Sequence, residues 1–189
     1  KAHPSKVDLV VRDVSRVPHR ARFLERLDRV RLRFGRRRER VAGRLVAQRF
    51  RSDGFRENAF LGRDDTNGFD ETTLRGRLSL EALPSLGVDL SALWVDLDNG
   101  YDAFAVDNSR RTFADQPGRD AQRSKGLSAA LDWSGSDAFM LRSVSAWTDS
   151  DIVYSFDGDW GFDPGYDYTS RFLRRHRTVS QDLRILSRD

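Results

Sequence analysis

Period-two alternation is the most persistent pattern in this chain, and it decides the fold class before composition is consulted. Leu127, Ala129, Leu131 and Trp133 fall on one side of a run whose other side carries Gly126, Ser128, Ala130 and Asp132. Successive side chains of a strand point to opposite faces, so this run specifies a strand with one apolar and one polar face. Ser134-Gly135-Ser136-Asp137 follows with turn composition. A second extended run spans Ala138 to Thr148, where Val144, Trp147 and Thr148 favour strand. The two runs form a hairpin with long arms. Its second arm alternates less cleanly, because Arg142 shares a face with Met140, Val144 and Ala146.

The same period recurs along the chain. Leu74, Gly76, Leu78, Leu80 and Ala82 alternate with Thr73, Arg75, Arg77, Ser79 and Glu81, the clearest strand of all. Pro84 to Gly87 is a short turn, after which Val88, Leu90, Ala92 and Trp94 alternate with Asp89, Ser91, Leu93 and Val95. Val41 to Ser52 reads as a strand with one mixed face, and Val179 to Leu186 as a last strand. Earlier, Phe23, Leu27, Val30 and Phe34 lie at helical spacing, but Val30, Leu32 and Phe34 also alternate with Arg29, Arg31 and Arg33. Pro18 opposes a helix through that stretch. A strand over 29–34 is expected, with Gly35 to Arg38 as a turn and residues 1–28 as an unassigned basic segment.

The connections alternate in length. Those around 35–38, 84–87 and 134–137 are about four residues long; those at 54–71, 98–123 and 150–177 are many times longer. Structureless loops of that size are uncommon in compact soluble domains. Outer-membrane barrels, by contrast, join strands of about ten residues by short turns at one end and long loops at the other. Aromatic residues collect at the two membrane interfaces of such barrels, and Trp94, Trp133 and Trp147 stand near strand ends, as do Phe50 and Tyr101.

Composition narrows the alternatives. Hydrophobic residues make up 38% of the 189, which is lean for a packed globule. The chain has no cysteine, which excludes disulfides, thiolate metal sites and a thiol nucleophile. The longest unbroken apolar run is four residues, so no transmembrane helix forms. Lys1 to Arg12 holds no apolar signal-peptide core; a membrane protein is expected to be represented here by an internal or processed piece. Residues 1–51 carry seventeen basic and five acidic side chains, the remainder sixteen and twenty-four. Such a basic arm before an acidic body is one footprint of nucleic-acid binding, and compositional bias towards arginine is the other explanation.

Catalytic patterns are absent. His3, His19 and His176 are far apart, and no nucleophile elbow, phosphate loop or zinc-protease helix occurs. No enzyme activity and no cofactor is expected. Six aspartates crowd 149–167, and Asp157-Gly158-Asp159 with Asp163 nearby offers oxygen ligands to calcium, although no glutamate closes an EF-hand spacing. A solvated acidic loop is the favoured reading of that stretch. Arg29 to Arg51 interleaves arginines with Phe34 and Phe50, a pattern that binds phosphates and stacks bases.

Four blocks resemble the barrel of TonB-dependent outer-membrane receptors. These are RLVAQRFRSDGFREN (Arg44 to Asn58), FDETTLRGRLSLEALP (Phe69 to Pro84), SVSAWTDSDIVYSFDGD (Ser143 to Asp159) and TVSQDLRILS (Thr178 to Ser187). They stand in the family's order and cover roughly residues 40–189. The resemblance implies that residues 29–189 are part of an antiparallel up-and-down transmembrane β-barrel of about six or seven strands with long outer loops. It implies residence in the outer membrane, in contact with its lipid, and energy-coupled uptake of a scarce nutrient, typically a ferric siderophore. The TonB complex would be reached through a plug region that this stretch does not contain. Outer-loop ligand contacts would fall on Tyr154, Asp157, Asp159, Trp160 and Tyr166. The alternatives are a soluble basic β-protein that binds nucleic acid through residues 29–51, and a small structural outer-membrane barrel.

Overall fold

The computed structural model describes residues 8–15, 25–34 and 40–188, with residues 8–15, 25 and 26 given as backbone only. It is all-β. The strands are β1 (Asp8–Ser15), β2 (Glu25–Phe34), β3 (Val41–Ser52), β4 (Glu57–Asn58), β5 (Phe69–Leu83), β6 (Leu86–Tyr101), β7 (Arg111–Thr112), β8 (Gly118–Trp133), β9 (Phe139–Asp157) and β10 (Thr169–Ser187). Eight of them form one sheet in the order β1-β2-β3-β5-β6-β8-β9-β10, each antiparallel to its neighbours. β4 and β7 pair in parallel as a separate clip. The sheet is an open meander whose edges are β1 and β10.

Cross-strand partners share a face, so the register shows what the alternation builds. Leu45, Gly76, Ala92, Leu127, Trp147 and Val179 form one row across six strands. The row at one limit of this apolar face is Leu86, Trp133, Leu141 and Ile185; towards the other limit lie Ala47, Leu74 and Trp94. From Leu86 to Trp94 the strand climbs about 26 Å at roughly 3.3 Å per residue, or about 20 Å once tilted as in a barrel wall, near the ~25 Å apolar band of outer-membrane barrels. Leu74, Leu78 and Leu80 lie on this face, and Arg75, Arg77 and Glu81 on the other, as the alternation predicts. Phe34 covers the one gap on β3: its ring lies over its partner Gly43, where an added Cβ would meet it at 2.0 Å.

Beyond the apolar band comes a rim of alternating charge. The row of Ala47, Leu74 and Trp94 turns charged on the later strands as Lys125, Asp149 and Arg177, and Asp96, Arg123, Asp151 and Arg175 form the next. Arg177 lies 2.9 Å from Asp149, Arg175 lies 3.6 Å from Asp151, and Arg123 lies 3.4 Å from Asp96.

Several expectations are corrected here. The eight-stranded sheet exceeds the six or seven strands expected. Loops were expected at 98–123 and 150–177, but β6 continues to Tyr101, β8 begins at Gly118, β9 runs to Asp157 and β10 begins at Thr169. The cross-strand ion pairs of the rim carry the ladder through what reads as loop composition. The unassigned stretch 1–28 contains β1 and the start of β2, and Leu27, Val30 and Phe34 lie in a strand, not on a helix. The turn expected at 35–38 lies outside the described residues, as do Pro18 and Phe23.

Candidate functional site

All the long connections among the described residues leave the charged-rim end of the sheet: 53–68, 102–117 and 158–168. The turns at Pro84-Ser85 and Ser134–Ala138 leave the other. The three connections pack into one layer, and its centre is polar. The Asp102 carboxylate accepts hydrogen bonds from Asn58 Nδ2 at 2.8 Å, Thr66 Oγ1 at 2.7 Å and Thr112 Oγ1 at 2.7 Å, all on the same oxygen. Asn58 Nδ2 also donates to the Ala114 carbonyl, and Asn58 Oδ1 accepts the Leu61 amide at 2.9 Å. Asn58 and Thr112 are fully buried and Asp102 is 3% exposed. A carboxylate so enclosed is sustained only by such donors. The β4–β7 clip brings Asn58 and Thr112 together, joining the first connection to the second. Two glycines allow the close approach: Gly54 sits at φ 89° against the Asn67 carbonyl, and a Cβ on Gly100 would lie 2.3 Å from the Thr66 carbonyl.

The third connection is held by the Asp115 amide, which donates to the Gly161 carbonyl at 3.0 Å, and by Gln116 Nε2, which donates to Asp167 at 3.0 Å. Phe60 stacks on Phe162 at 4.7 Å between ring centroids, and Phe104 on Trp160 at 5.0 Å. The second pair continues into an aromatic run: Phe104 meets Tyr101 at 6.0 Å, Tyr101 meets Tyr154 at 4.9 Å, and Tyr154 meets Phe172 at 6.2 Å. Offset and edge contacts of this kind add to the area they bury. Trp160 holds a left-handed backbone at φ 59°, which costs a non-glycine residue energy and which the stack on Phe104 offsets. Beside the run a cleft of about 210 Å³ is lined by Arg119, Val153, Ser155, Phe156, Thr169 and Arg171 among others. That is smaller than pockets enclosing a drug-sized ligand, roughly 300–1,000 Å³.

Asp157 ends β9 beyond the charged rim. It is 5% exposed, and burial, reinforced by a hydrogen bond shared with Asp159, pushes its carboxyl up to about 7. Asp115 adds further repulsion. One oxygen each of Asp115, Asp157 and Asp159 is buried without a hydrogen-bond partner.

The expected ligand contacts therefore divide. Tyr154 belongs to strand β9 and not to a loop, and it joins Trp160 through Tyr101 and Phe104. Tyr166 is 66% exposed and pairs with Tyr168 instead, at 5.5 Å. Asp157 departs from the solvated acidic loop expected there. Asp163 turns into its own bend, accepting the Gly165 amide at 2.8 Å, and among the described residues no group of three His, Cys, Asp or Glu side chains is placed to hold a metal ion. His176 lies on β10, while His3 and His19 fall outside the described residues. Asp102, Phe104, Phe156 and Phe172 were missed. The Asn- and Asp-rich composition of 54–71 announces polar turns, but not that the Asp102 carboxylate, more than thirty residues on, gathers them.

No protein-family model, curated protein or solved structure matches this chain.

Proposed function

We propose that this chain forms part of the wall and outer loop layer of a TonB-dependent outer-membrane receptor, whose activity is energy-coupled uptake of a scarce nutrient such as a ferric siderophore. The observation that carries the proposal is the sheet's two-sidedness. One face is an apolar band, limited by the row of Leu86, Trp133, Leu141 and Ile185 on one side and by alternating charges on the other. The long connections rise from the charged end and the short turns from the opposite end.

In this reading the sheet is a partial barrel that further strands close along its β1 and β10 edges. Closure is what satisfies backbone groups in lipid. Outer-membrane lipid covers Leu74, Leu78 and Leu80, and the polar face looks into the lumen. The loop layer receives the ligand over the aromatic run of Tyr154 and Trp160, with Asp157 and Asp159 beside it and Tyr166 at the rim. Release into the cell would need a plug driven by the TonB complex, contributed by the parent protein. No chemistry is performed on the ligand.

Cysteine scanning tests the orientation. In outer membranes carrying the parent protein, cysteine at position 78 should resist a water-soluble thiol reagent, while cysteine at 77 should label. Deletion of the gene should impair growth under iron limitation, restored by simple iron salts in excess. Recovery in the soluble fraction, with 78 labelling faster than 77, would remove the membrane reading and leave the nucleic-acid alternative. Correct labelling without any iron phenotype would leave the wall and change the nutrient.

A further inference from the structure

The two faces of the sheet handle charge differently. On the apolar face the rim alternates sign from strand to strand, and its arginines find carboxylates. On the polar face, Arg33, Arg44 and Arg77 stand directly opposite one another on β2, β3 and β5, with Arg31 and Arg75 in the next row. Like charges in directly opposed positions destabilise a sheet. Relief from carboxylates is slight: Arg77 lies 3.3 Å from Asp89, and Asp8 occupies the register position beside Arg33 on the edge strand. Among the described residues, no hydrogen bond or ion pair is formed by Arg33, Arg44 or Arg75. A cavity of about 180 Å³ opens between Arg44, Val46, Arg75 and Arg77.

We propose that this face of β2, β3 and β5 is a binding site for a small polyanion, an oligophosphate or polycarboxylate, gripped by Arg44, Arg75 and Arg77 and extended towards Arg33. Guanidinium groups match phosphate and carboxylate oxygens in pairs, so each grip is directional as well as electrostatic. Neighbouring strands lie about 4.8 Å apart, and residues two apart on one strand about 6.7 Å. The site therefore fits anionic groups about 5–10 Å apart on one molecule. Its cavity accommodates a terminal anionic group, not a whole drug-sized ligand. The inference rests on the strand register and holds whether or not the sheet closes in a membrane.

The test uses the full chain in detergent micelles, with tripolyphosphate and citrate as probes in titration calorimetry. Saturable binding is expected, weakening as salt rises. The Arg44→Gln/Arg75→Gln variant should bind about a hundredfold more weakly, since each of the two lost charge-assisted contacts is worth about tenfold. Arg44→Lys/Arg75→Lys should retain an intermediate affinity, charge being kept and the paired geometry lost. Arg123→Gln, on the other face, should bind as the unaltered chain does. Folding of each variant is checked by its circular dichroism, and the lysine variant gives the reading if the glutamine variant misfolds. No binding of either probe, or equal loss on Arg123→Gln, overturns the site. Binding of single-stranded oligonucleotide without tripolyphosphate binding overturns it in favour of a nucleic-acid surface.

Discussion

The loop layer and the sheet wall are built on opposite plans. Among the described residues only two hydrophobic side chains are buried, Ala114 and Ala121, and neither is large. Most of the buried polar groups, Asn58, Thr66, Asn67, Asp102 and Thr112 among them, belong to the loop layer. The wall buries little: Leu127 is 58% exposed, and Leu183, Ile185 and Val179 on β10 are 68–75% exposed. The loop layer thus gets its definition from directional hydrogen bonds, whereas the wall is defined by register and leaves its apolar face uncovered. A wall with no interior of its own cannot draw on the burial that stabilises a soluble domain.

The largest expected effect breaks the wall's side of this comparison. Arginine at Leu90 and at Leu131 places two charges in the apolar band, at roughly 2–4 kcal/mol each near the midplane of a bilayer. The double substitution should abolish assembly into outer membranes, seen as loss of heat-modifiable migration on gels. Arginine at Ser91, on the polar face, should assemble normally. Equal tolerance at all three positions would mean that the face meets water.

Next in size is a cut at the centre of the loop layer. Asp102→Ala removes the acceptor of three buried donors, each costing about 1–3 kcal/mol when left unpaired. Protease should then cleave within 53–68 and 102–117 while the strands stay protected. If cleavage spreads into the wall at the same rate, the two regions are one cooperative unit and the contrast fails.

A smaller effect depends on pH. The folded loop layer raises the Asp157 carboxyl from 3.8 to about 7, so it holds a proton that the unfolded chain has released. That contribution is full below the ordinary carboxylate range and is lost as pH rises through about 7. Protection of 158–168 from protease should fall between about pH 4 and pH 7–8, and Asp157→Asn should flatten the dependence. Rising protection over that range would mean that the buried oxygens are charged and otherwise paired.

The strands of the apolar band were legible because each needs only its own alternation. Leu74 to Leu80 and Leu127 to Trp133 declare their faces from local sequence. What lay beyond the band was not. Asp149, Asp151, Arg175 and Arg177 read as loop composition, since charges rarely continue a strand alone. They continue one here because each sits opposite a charge of the other sign, a fact set by a register that pairs residues 24 and 28 positions apart. The candidate site was partly visible for the same reason. Trp160 and Tyr154 stand out as aromatic residues in an acidic stretch, but their partners Phe104 and Tyr101 come from the connection at 102–117 and the end of β6, some fifty residues earlier in the chain. The Asp102 hub gathers donors from 58, 66 and 112, which no single window contains.

The smallest expected effect sharpens the comparison at the boundary between the two regions. Asp149 is shared by Arg177 at 2.9 Å and Arg175 at 3.8 Å, and both arginines are more than 60% exposed. If the rim is wetted, such pairs contribute about 0–1 kcal/mol and are screened by salt. Arg177→Gln should therefore shift the denaturation midpoint of the detergent-folded chain only slightly, all the more because Arg175 remains to answer Asp149. The double substitution Arg175→Gln/Arg177→Gln should cost more than the two singles combined, because only then does Asp149 lose both arginines and keep only Lys125, its register partner on β8. Raising salt should shrink both effects. A loss of several kcal/mol from Arg177→Gln alone, insensitive to salt, would show that the rim is desolvated, and the apolar band would then have to extend past Trp94 and Trp147 into the charged rows.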